Sequence, residues 1–210
     1  MKKANVTIML LCIVLLAGCA ARSTSDPALK LTWAAEEYNY KENPIAAEEL
    51  LQESLEIYRK QMNQLGLAET YRQYGLFLRS HAVTKNKEHY KQFGFLDESV
   101  RFNNRYEKAL EYLNKSKEIF VSKNMPKPLT DIYLSMAKTY ALMDMTTESC
   151  DNLEKGKQSY AKMKGKRGDT REIGVDDDAN YEAYMNVMYT SWGCRPLEMT
   201  AGVTHSTNMQ

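Results

Sequence analysis

The chain has 210 residues, with 28 basic and 27 acidic side chains and a formal net charge of +1. That balance argues against a nucleic-acid-binding surface, and the length is enough for one domain with a real core. Glycine and proline are scarce, and apolar residues recur at helical spacing with no sustained strand-like alternation, which predicts an all-helical protein.

In chain order, Lys2 and Lys3 open a segment that is almost wholly apolar from Val6 to Leu16 and closes on Leu16-Ala17-Gly18-Cys19. This is the layout of a cleaved export signal, and the apolar run falls short of the roughly 20 residues that a membrane-spanning helix needs. An uncleaved anchor and a signal cut elsewhere by the ordinary peptidase are the other readings. The stretch resembles the lipobox of bacterial lipoproteins. The resemblance implies a diacylglyceryl group on the Cys19 thiol, cleavage just before it and acylation of the new amino terminus. In that family an aspartate at the second mature position favours the inner membrane, so Ala20 implies the periplasmic face of the outer membrane. Residues 1–18 are then the signal peptide. Residues 19–27, small and polar, are expected to be a flexible tether.

A helical domain is expected over residues 28–194. Leu31, Ala34, Ala35 and Tyr38 share one face of a first helix that Asn43-Pro44 ends. Ala47, Leu50, Leu51, Ser54, Leu55 and Tyr58 form the face of a second. Ala35, Tyr38, Ala47, Leu51 and Ser54 recur at identical offsets as Ala137, Tyr140, Ser149, Leu153 and Gly156. Between them, Gly75 and Leu78 fall in step with Ala109, Leu113 and Ser116 once 22 extra residues are allowed. Small residues at three of these offsets let two helices touch, and bulky ones fill the gaps between neighbouring pairs. The pattern resembles the tetratricopeptide repeat, although Leu31, Tyr71 and Tyr133 stand where that family has its first Trp. The resemblance implies a stack of about three antiparallel helical hairpins. An unrelated helical bundle is the alternative.

The extra residues form an insertion at about 80–103 that contains Tyr90, Phe93 and Phe95. These aromatics are costly to leave bare, so they either pack on the scaffold or meet a partner. A last helix is predicted from Ala179 to Ser191 as a C-terminal cap. Asp176, Asp177 and Asp178 suit its positive start and lack the spacing of a calcium loop. With Cys12 lost in the signal and Cys19 lipidated, Cys150 and Cys194 remain in an oxidising compartment, where a disulfide is expected. Two buried free thiols are the alternative. Residues 195–210 are expected to be a disordered tail.

No phosphate-cradling glycine loop, nucleophile elbow or His-Glu-x-x-His motif is present, and His81 and His89 read as solvated loop residues. No catalytic residue, metal or cofactor is therefore expected. The basic stretch from Lys155 to Arg171 reads as a helix end, with anionic headgroups or cell-wall carboxylates as a second reading.

In the tetratricopeptide family the first helix of each pair lines a partner groove. Carried over, the groove residues are Thr32, Glu36 and Asn39, then Arg72, Leu76 and Arg79, then Leu134, Lys138 and Ala141. Arg72 and Arg79 lie seven apart on one face, which suits a peptide segment that carries carboxylates. The expected function is an outer-membrane-anchored periplasmic lipoprotein that binds envelope proteins as an adaptor or assembly factor, for a pilus or secretion secretin or for cell-wall machinery. A self-associating structural lipoprotein is the alternative, and a cell-wall-active enzyme is the weaker one.

Overall fold

The computed structural model of the chain describes residues 25–166 and 176–194. The signal segment, Cys19, most of the tether and the tail from residue 195 lie outside the described residues. Every regular element among the described residues is a helix.

The first two helices begin on caps written in the sequence. The Asp26 carboxylate accepts the Ala28 N–H and Pro27 occupies the first turn of α1 (Pro27–Asn39). Asn43 and Pro44 do the same for α2 (Pro44–Lys60). Asn43-Pro44 thus ends one helix and starts the next. Asn63 caps α3 (Gln64–Leu78) through the Gly66 N–H. The insertion then folds as two short helices, α4 (His81–Lys85) and α5 (Lys87–Phe93), followed by a 3-10 turn over Phe102–Asn104. The long helices resume with α6 (Arg105–Ser122), α7 (Pro126–Ala141) and α8 (Thr146–Lys166). The cap is α9 (Asp176–Ser191), one turn longer than predicted. Glu42, Met62, Asn124 and Asp144 turn the chain between long helices at φ of 51–59°, a left-handed conformation taken here by four side-chain-bearing residues.

Helices pack most closely in pairs, α1 with α2, α3 with α6 and α7 with α8. One polar device recurs in all three pairs. Ser54 on α2 donates to the Pro27 carbonyl at 3.1 Å, Ser116 on α6 to that of Ala68 at 2.7 Å, and Ser159 on α8 to that of Pro126 at 2.9 Å. Each bond joins the later half of the second helix to the early part of the first, so the members of a pair run antiparallel. Small residues make the contact close. A methyl group added at Gly75 would sit 2.7 Å from Leu113 Cγ and 3.0 Å from the Ala109 carbonyl oxygen. At the first offset of the first pair the structure refines the expectation, because Ala34 is fully buried and Ala35 only half-buried.

Neighbouring pairs meet where α2 packs on α3 and α6 on α7. Leu51, Leu55, Tyr74, Phe77 and Leu78 fill the first junction, and Leu113, Phe120, Ile132 and Met136 fill the second. Complete burial of a side chain such as Phe77 contributes roughly 2–3 kcal/mol. The third core lies between α7, α8 and α9, where Met185 and Met188 pack with Leu134, Ala137, Leu153 and Tyr160. Cys150 and Cys194 are joined by a disulfide that ties the chain just after α9 to α8.

The insertion closes over the first core. Tyr90 is 2% exposed and Phe95 6%, stacked with ring centroids 4.1 Å apart beside Phe77. Of the two alternatives for these aromatics, packing is correct for Tyr90 and Phe95, which present no surface to a partner. Phe93 remains 68% exposed, with His89 against its ring. The carboxylate of Glu48 on α2 holds the segment down. Glu48 is 3% exposed and accepts the Tyr74 hydroxyl at 2.8 Å and the Leu96 N–H at 2.9 Å on the same oxygen. Burial pushes its pKa up to about 7 against the pull of those bonds. The Tyr90 hydroxyl, whose ionisation is disfavoured by burial and then by Glu48, is buried without a hydrogen-bond partner among the described residues.

Candidate functional site

Arg72 and Leu76 on α3, and Arg79 just past its end, follow one another at four- and three-residue steps and so lie on one side of it. Asp131, Leu134, Ser135 and Lys138 do the same on α7. These two faces, with Tyr181 and Tyr184 of α9 as the far wall, enclose an open cleft of about 540 Å³. Four of the residues singled out for partner binding, Arg72, Leu76, Arg79 and Lys138, therefore line one cavity, together with Leu134 from the same expectation. Ala141 lies outside its lining. From α1, Asn39 reaches an adjoining hollow of about 350 Å³ that shares Leu76 and Arg79 with the cleft, whereas Thr32 and Glu36 are not in its lining.

The cleft brings three cations together with a single carboxylate in its lining, and the cations differ in their partners. Arg72 is clamped. Its guanidinium donates to both oxygens of Glu69, at 2.9 and 2.5 Å, one turn earlier on α3. Burial lowers its pKa, but Glu69 outweighs this and raises it, so its charge is secure. Glu69 is held in turn by Gln73 Nε2, and Gln73 Oε1 accepts the hydroxyl of Tyr38 on α1. Burial pushes the Tyr38 hydroxyl up to about 12, with Arg72 and Arg79 pulling it down.

Arg79 is different. It follows the last residue of α3, its Nε is buried without an acceptor among the described residues, and desolvation pulls its pKa down against the opposing pull of Tyr38 and Tyr184. An arginine remains charged under such a shift, so Arg79 is a desolvated donor facing a cavity. Lys138 places its ammonium 4.7 Å from the centre of the Tyr184 ring, a cation–π contact that fixes it without neutralising it. Asp131 accepts the Tyr181 hydroxyl, and the Tyr181 ring stacks on Tyr160 of α8. Leu76 and Leu134 supply apolar surface between the charged groups.

Such an arrangement is suited to holding an anionic group beside an apolar one. Among the described residues no group of three His, Cys, Asp or Glu side chains converges as a metal site. No described helix is long and apolar enough to cross a membrane. The residues that the sequence reading missed are Asp131, Ser135, Tyr181 and Tyr184. The tyrosines lie on the helix predicted as the cap, but only the packing of α9 against α7 and α8 turns them toward α3.

No protein-family model matches the chain, and no curated protein and no solved structure is significantly similar to it.

Proposed function

We propose that the chain is a lipoprotein held through Cys19 on the periplasmic face of the outer membrane, where it binds a segment of another envelope protein and positions it within an assembly. In this reading the three helical pairs are a tetratricopeptide-like stack, with α9 as its cap. The cleft between α3, α7 and α9 is the partner site. The observation that carries the reading is the convergence of Arg79, Lys138 and Arg72 on one open cavity, with the Arg79 Nε buried and unpartnered. Leaving a charged donor desolvated costs stability, and a carboxylate from a partner would offset that cost with a charge-assisted bond. The lipobox resemblance supports the location, and the disulfide is in keeping with an exported protein. Pilus and secretion secretins and cell-wall machinery are the assemblies in which such an adaptor would serve.

The test is co-purification of the chain from gently solubilised envelopes, with palmitate labelling to follow the anchor. The parent is expected to retain an envelope protein that Arg79→Glu loses at unchanged abundance, and Cys19→Ser is expected to abolish the label. An identical set of co-purifying proteins from the parent and Arg79→Glu would overturn the cleft as the partner site.

A further inference from the structure

A second groove, of about 460 Å³, runs between α6 and α8 over the start of α7. One side is apolar, formed by Val121, Pro126, Leu129 and Tyr133, with Val121 53% exposed. The other side carries Lys155 and Lys162. Lys117 of α6 is near enough to Lys155 for its pKa to be lowered by partial burial and by that second ammonium, against a weaker pull from Glu118. Its Nζ bonds the neutral Asn114 amide. None of these three lysines is in a salt bridge among the described residues. Cations outside any salt bridge, beside apolar side chains that are exposed or half-buried, complement an anionic amphiphile.

The position of the groove identifies that amphiphile. The serine-to-carbonyl bonds of the three pairs put the starts of α1, α3 and α7 at the same end of the molecule as the last turns of α2, α6 and α8. The same end carries exposed Met62, Leu65, Arg59, Lys60, Lys123 and Lys127. It is also the end from which the chain leaves α1 toward Cys19. The six steps along the chain from Cys19 to Ser25 span at most about 20 Å. Val121, Asn124 and Pro126 therefore open the groove at the end of the molecule that faces the surface into which Cys19 would be anchored.

We propose that this groove seats on the anionic phospholipid headgroups of that surface as a second membrane contact, an inference that rests on the lipid-anchor reading. It would also orient the molecule. Leu129 and Tyr133 lie on the face of α7 opposite Asp131, Ser135 and Lys138, so a chain seated through the groove turns its cleft away from the bilayer. Each lysine near an anionic surface adds attraction that falls off within a Debye length, so the contact is salt-sensitive.

The test is lysine-acetylation footprinting of the lipidated chain in vesicles of phosphatidylcholine alone or with phosphatidylglycerol. Lys155 and Lys162 are expected to be modified several-fold more slowly in the phosphatidylglycerol vesicles, with Lys91 in the insertion unchanged, and added salt should erase the difference. Equal modification in the two vesicle types overturns the proposal. So does protection by inorganic phosphate without vesicles, which would mean a soluble anion, or protection that follows protein concentration, which would mean a second copy. If the chain carries no acyl group, the anchor reading fails by itself. Flotation of that unlipidated chain with phosphatidylglycerol vesicles, lost in Lys155→Gln/Lys162→Gln, would still support the groove, and absence of flotation would overturn it.

Discussion

Replacing Glu48 with Gln should make the fold more stable at alkaline pH and leave it nearly unchanged at acid pH. In the folded chain Glu48 keeps its proton up to about pH 7, because the desolvation of its buried carboxyl outweighs the two donors on its oxygen, which favour the charged form. Unfolded, the same group loses its proton near its ordinary value of 4.5. Between those two values the folded state holds more protons than the unfolded state, so its stability falls as pH rises. The displacement from 4.5 to about 7 corresponds to roughly 3 kcal/mol, fully lost once the pH exceeds the folded value. A glutamine keeps the acceptor for Tyr74 and Leu96 and carries no charge to bury. Tyr74, Tyr90 and Tyr112 are all pushed upward by burial and stay neutral across this range, while Asp97 stays ionised through the bonds from Tyr112 and Ser99 that outweigh its desolvation. Urea unfolding of the parent and the variant at pH 5 and pH 8 measures the effect. The variant is expected to gain relative to the parent at the higher pH by a substantial part of that 3 kcal/mol. A gap between them that does not change with pH would refute the assignment of Glu48 as a buried, proton-retaining carboxyl.

Other consequences follow from the same geometry. Replacing both Cys150 and Cys194 with Ala should lower stability by about 4 kcal/mol on the chain-entropy model for a separation of 44 residues, read by denaturant unfolding. Proteolysis of the double variant should begin at α9. Tyr90→Phe removes a buried hydroxyl that has no partner and should raise stability by about 1 kcal/mol, seen as a later urea midpoint at unchanged slope. Gly75→Ala should destabilise by about 1–3 kcal/mol in spite of the better helix propensity of alanine, because its methyl group would meet Leu113 and the Ala109 carbonyl. A neutral Gly75→Ala would mean that α3 and α6 are not packed as closely as described.

The helix-pair pattern was readable because its determinants are local. Ser54, Gly75 and Ala137 announce close crossings by their size, and Asn43 and Pro44 mark a helix end by capping chemistry. The α3 and α7 walls of the cleft were readable for the same reason, since Arg72, Leu76, Arg79 and Lys138 follow from helical period alone. The fate of the insertion was not. Burial of Tyr90 and Phe95 depends on Glu48, which bonds Leu96 across 48 positions, and no local pattern reports that a carboxylate will serve as an acceptor in the core. Tyr181 and Tyr184 escaped for a related reason. Their place opposite α3 is set by the disulfide and by Met185 and Met188 packing on α8, contacts that span tens of residues.

The central claim is that the cleft between α3, α7 and α9 holds an anionic segment of an envelope protein. Site-specific photocrosslinking in cells, with the photoreactive residue in place of Tyr184 or, as a control, of exposed Glu56 on α2, tests it most directly. One envelope protein captured at position 184 through a peptide rich in Asp and Glu, absent at position 56 and lost when Arg79→Glu is added, is the predicted result. Identical products at both positions, or a product at 184 that survives Arg79→Glu, would contradict the account.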